Sequence, residues 1–89
     1  MMDERDVVRN AYLAALEPLD PDAEVKVEQG SADYWHVVAV SRAFESKGSA
    51  ERDPISRQAL RSLGPTLAIR VTVAMLLTPD EYQEYLQPF

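Results

Sequence analysis

The chain has 89 residues, no cysteine, a single histidine and a formal net charge of −6. That length supports one small domain with a thin core, spanning residues 1–89. The missing cysteines exclude disulfides and thiolate-ligated zinc or iron–sulfur sites, and one histidine excludes a multi-histidine metal site within one chain. No run of about 18 apolar residues is present to span a membrane, and the acidic opening Met-Met-Asp-Glu-Arg-Asp has no apolar region behind a basic start. The expectation is that it is no signal peptide and that the protein is cytoplasmic.

Met1 and Met2 are expected to fray. Asp3 has the chemistry of an N-cap, and Asp6 three residues on suggests a capping box. Val8, Ala11, Tyr12, Ala15, Leu16 and Leu19 recur at helical spacing. Glu17-Pro18 and Asp20-Pro21 end this helix, because proline disfavours helical geometry in the residue before it. Residues 23–28, Ala-Glu-Val-Lys-Val-Glu, alternate strictly and predict a half-buried strand with Val25 and Val27 inward. Turn residues 29–33 follow, then an apolar strand from Tyr34 to Ser41; the short connection makes the pair an antiparallel hairpin.

Ser46 to Arg52 has no apolar period and is read as a loop. Asp53-Pro54 predicts a helix start, with a carboxylate N-cap and proline at the first helical position. Ile55, Ala59, Leu60 and Leu63 form its buried stripe, with Arg57 and Arg61 outward, and Gly64-Pro65 stops it. Leu67, Ile69, Val71, Val73 and Met75 alternate with Ala68, Arg70, Thr72 and Ala74, predicting a third strand. Thr78-Pro79-Asp80-Glu81 predicts a capping box and a short terminal helix carrying Tyr82, Tyr85 and Leu86. The order α-β-β-α-β-α, with a crossover joining strands two and three in parallel, gives an α+β domain: a three-stranded mixed sheet with helices packed on it.

Charge is uneven. Residues 42–70 hold Arg42, Lys47, Arg52, Arg57, Arg61 and Arg70 against Glu45, Glu51 and Asp53, so this segment carries +3 and the remainder −9. A solvated helix face explains such a pattern, and so does a surface that steers a partner. The overall negative charge argues against unspecific nucleic-acid affinity, which depends on lysine and arginine. A strand position explains His36, with a ligand or partner contact as the alternative. Docking onto the core or a dimer interface explains Tyr82 and Tyr85. Asp80, Glu81 and Glu84 complement the start of a helix. No Ser-His-Asp set, paired-carboxylate site or phosphate loop can be assembled, so the chain is not expected to be an enzyme.

The stretch YWHVVAVSRAFESKGSAERDPISRQAL resembles the BolA-type family, through Trp35, Val37, Val38, Val40, Ser41, Phe44, Glu45, Lys47, Arg52, Ala59 and Leu60, with Thr78, Pro79, Glu81 and Tyr82 at the end. The resemblance implies an α-β-β-α-β fold similar to a type II KH domain. It places Phe44 as an anchor folded back onto the core, with Glu45 and the following polar stretch as an exposed loop. It also implies a non-catalytic adaptor in the bacterial cytoplasm whose partner is a monothiol glutaredoxin or another iron–sulfur protein. Family members that share a 2Fe–2S cluster supply histidines at two positions, which fall here at Met75 and Asp53. A thioether is a weak ligand for ferric iron and a carboxylate a substitute at best, so the cluster-bridging site is expected to be absent and no cofactor is assigned. His36 falls where the family often has lysine. The alternative function is a KH-like nucleic-acid-binding regulator using the basic segment, although the Gly-x-x-Gly loop of RNA-binding KH domains is missing. A homodimer module without a separable ligand is the third.

Overall fold

The computed structural model describes residues 3–87, so the expected fraying of Met1 and Met2 lies outside the described residues. Helix α1 spans Glu4–Leu16, and the Asp3 carboxylate accepts from the Arg5 amide. Val8, Tyr12, Ala15 and Leu16 are its buried stripe. Asp6 does not close a capping box; its carboxylate accepts from Arg9 at 2.8 Å. Leu19 lies beyond the helix end, in the turn before Pro21, and is exposed.

Strands β1 (Glu24–Gln29) and β2 (Trp35–Val40) pair antiparallel, and β3 (Val71–Leu77) pairs parallel with β2, in the order β1-β2-β3. The fold is therefore the expected α+β arrangement with a three-stranded mixed sheet. In the hairpin turn Ala32 adopts φ 55°, a left-handed conformation that costs a residue with a Cβ about 1–2 kcal/mol. Val25, Val27, Trp35, Val37 and Ala39 face one side of the sheet and meet α1 there, with Phe44, Ile55 and Ala59, in a single apolar core. Tyr12 is fully buried, and its hydroxyl meets Ser56 Oγ at 2.8 Å, joining α1 to the central helix. Burial raises the Tyr12 phenol above its ordinary pKa, against the Ser56 hydrogen bond.

After β2 the chain turns through a 3-10 helix, Arg42–Ser46, and then α2, Ser49–Leu63. This corrects the expected loop over 46–52: only Lys47 and Gly48 lie outside a helix there, although Glu45 and Ser46 are exposed at the end of the 3-10 helix. Phe44 is fully buried, as the family resemblance implied. Ser41 fixes the turn: its hydroxyl donates to Asp20 at 2.7 Å and accepts from the Ala43 amide at 3.0 Å. The helix begins four residues before Asp53-Pro54, so Asp53 is an exposed residue inside α2 and not its N-cap. Pro54 removes one ladder donor there. The extra turn is held from outside: the Arg52 side chain donates to the Lys47 and Phe44 carbonyls, and the Glu51 carboxylate accepts from the Gly48 amide at 3.4 Å.

Gly64, at φ 82°, ends α2 and leads into a single helical turn, α3, Pro65–Ala68. Leu67 and Ile69 thus fall outside the strand predicted for them. Proline at the first position, after a glycine, starts a helix as readily as it stops one. Within β3 a bulge shifts the register between Trp35↔Val71 and His36↔Val73. The extra residue reverses the expected alternation: Val71, Ala74 and Leu76 pack on the core, and Val73 and Met75 share the open face with His36 and Val38. Helix α4, Pro79–Leu86, opens with the expected capping box, Thr78 accepting from the Glu81 amide and Glu81 from the Thr78 amide. Tyr82 lies beneath the Lys26 ammonium, 5.5 Å from its ring centroid, so α4 shields part of the open face. Among the described residues no helix is long and apolar enough to cross a membrane.

Candidate functional site

The six cations of segment 42–70 do not form one patch. Arg52 is an internal clamp. Its Nη1 donates to the Leu76 carbonyl (2.9 Å) and to Glu81 Oε1 (2.7 Å), its Nε to the Lys47 carbonyl (2.8 Å) and its Nη2 to the Phe44 carbonyl (2.9 Å). The guanidinium also lies over the Phe44 ring, 5.5 Å from the centroid. A planar fork with several fixed donors suits this role in a way that lysine would not. Together with the Thr78 amide, Arg52 holds the Glu81 carboxyl below its ordinary pKa, the amide hydrogen bond being the larger cause. Arg70 is likewise internal: it pairs with Glu4, whose Oε1 also accepts the Trp35 indole N–H at 2.8 Å. Neither arginine is available as the surface contact expected of it.

Four cations remain. Arg42 stands at the start of the 3-10 helix beside a cleft of about 760 Å³. That cleft is acidic, with Asp20, Asp22 and Glu24 on its wall and Val40, Pro79 and Tyr82 among the apolar lining. Asp20 is held below its ordinary pKa, first by the Ser41 hydroxyl and then by the Asp22 amide. Lys47 is half-buried, and its backbone carbonyl is already used by Arg52.

Arg57 and Arg61 are exposed, four residues apart on α2, and make no ion pair among the described residues. They flank a groove of about 420 Å³ between α2 and α3, lined otherwise by Leu60, Gly64, Pro65 and Ala68. Ile69, immediately after α3, is 76 % exposed. Two unpaired guanidinium groups beside an apolar trough make a surface that can take an amphipathic, acidic segment. The arginines are visible in the sequence but the trough is not, because the alternation from Leu67 points to a strand where the end of α3 lies. The Gly64-Pro65 pair was the signal, since proline at a first helical position follows it directly.

The positions at which the family's histidines fall are far apart in kind. Asp53 is exposed on α2, whereas Met75 belongs to the opposite, open face of the sheet. His36 does share that face with Met75: it is paired with Val73, and Met75 is the next residue along the same face. The His36 ring packs against Gly30, where an added Cβ would come within 2.6 Å of Nε2. Among the described residues, no three His, Cys, Asp or Glu side chains are grouped to hold a metal ion. Comparison with protein-family models, with curated proteins and with solved structures finds no match to this chain.

Proposed function

We propose that the chain is a non-catalytic, BolA-like adaptor domain that captures a protein partner on the outward face of α2. The observation that carries this reading is the groove between α2 and α3 with Arg57 and Arg61 on its flank. The partner implied by the resemblance is a monothiol glutaredoxin or another iron–sulfur protein, bound without the usual histidine ligand. The element order and the mixed sheet are consistent with the fold that the resemblance implied.

The KH-like nucleic-acid reading is less well supported. Two of its six cations, Arg52 and Arg70, are spent inside the domain. That leaves few counter-charges for phosphate on a chain of net charge −6. The direct test is anaerobic titration into a glutaredoxin carrying a 2Fe–2S cluster, followed by visible circular dichroism. A changed cluster spectrum is expected. An unchanged spectrum removes the iron–sulfur partner from the reading.

A further inference from the structure

The groove and the last helix of this chain are chemically complementary. α4 carries Asp80, Glu81 and Glu84 and no basic residue. Glu81 is committed to Arg52 and Thr78, but Asp80 and Glu84 make no ion pair among the described residues. They stand four apart, the same spacing as Arg57 and Arg61 on α2. Tyr85 and Leu86 sit at the end of the same helix, 50 % and 56 % exposed, although both are large and apolar. The Tyr85 ring is stacked beside Tyr82, at a centroid distance of 6.3 Å, and Tyr82 is fixed under Lys26. The stack restricts the exposed ring, which lowers the cost of docking it.

The sheet edge is a poorer route to self-association. Leu77 offers its carbonyl to the Ser41 amide just past the end of β2, so ladder geometry turns the neighbouring Leu76 carbonyl to the free edge of β3. There it is taken by Arg52, which blunts that edge.

We propose that the occupant of the α2–α3 groove is α4 of a second copy of this chain. Tyr85 enters the trough beside Leu60, Pro65 and Ala68, and Asp80 and Glu84 meet Arg57 and Arg61. The contact joins two different surfaces, so the smallest closed form is a two-fold pair in which each copy gives one helix and receives one. The inference rests on the docking reading for its groove, and it implies that self-association and partner capture compete.

The test is sedimentation equilibrium of the full chain at low salt, with two charge reversals, Arg57→Glu/Arg61→Glu and Asp80→Arg/Glu84→Arg. The wild-type mass is expected to rise above 10.0 kDa with concentration. Each reversal alone should weaken association at least about tenfold, and the four changes together should restore it. Restoration also shows that the reversals fold. A wild-type mass that stays at one copy up to roughly millimolar concentration overturns the inference, as does association that neither reversal alters. Glutaredoxin titrations of the same variants separate the two readings. The Asp80→Arg/Glu84→Arg chain has an intact groove, so it should still bind the partner if docking alone is right. Charge-dependent self-association with no glutaredoxin binding leaves this inference standing without the iron–sulfur partner.

Discussion

Two residues carry more of this domain than their chemistry in the sequence suggests. Phe44 is a fully buried ring in a five-residue 3-10 helix, capped on its open side by a guanidinium. Phe44→Ala should cost about 3–5 kcal/mol in chemical denaturation, the range for a large buried aromatic ring. A melt that does not move would contradict that placement. Arg52 closes four acceptors from three segments: the turn after β2, the end of β3 and α4. Arg52→Ala should destabilise by about 2–3 kcal/mol, because it strands part-buried carbonyls. Arg52→Lys should recover only part of that, since one ammonium cannot reach acceptors set around a planar fork. The sequence could not separate Arg52 from Arg57. Both are arginines in a basic stretch, and only the tertiary fold decides that one turns inward against Phe44 and the other outward.

The elements were legible to different degrees. Where a face alternates cleanly, as in Val25 and Val27 or in the α1 stripe, period alone placed the strand and the helix. The Thr78–Glu81 box was also legible, because both partners are local. The early start of α2 was not, since long-range bonds from Arg52 outweigh the local signal of Asp53-Pro54. The bulge in β3 was hidden for a related reason: one extra residue leaves the composition of the strand unchanged but exchanges its faces. At this scale the Glu81 carboxylate makes a pH prediction. Its pKa is lower folded than unfolded. The stability it contributes is present above the unfolded carboxylate value and is lost as pH falls through the folded one. Glu81→Gln should therefore flatten the acid side of the stability–pH curve, measured by denaturant midpoints between about pH 6 and 2. An acid limb identical to wild type would mean that the Thr78–Glu81–Arg52 group is not linked to folding.

At the scale of the whole molecule, charge separation is the organising feature. The +3 segment does not present all its cations: the fold keeps Arg52 and Arg70 for itself and leaves Arg57 and Arg61 outward beside the groove. Acidic groups collect elsewhere, in the cleft of Asp20, Asp22 and Glu24 and on α4. On the proposed docking reading, a trough flanked by Arg57 and Arg61 amid acidic surroundings favours an acidic partner there and disfavours one at the acidic faces. The sequence showed the sum of charges but not this sorting, since sorting needs the path of α2 and the turn of α3.

The most direct test of the docking face is the binding curve of Arg57→Glu/Arg61→Glu against that of wild type, titrated into cluster-loaded glutaredoxin at low and moderate salt. The account predicts that wild type binds, that salt weakens binding, and that the variant loses at least about tenfold in affinity while its melt is unchanged. Identical curves for the two proteins would contradict it, because the α2 face would then play no part in capturing the partner.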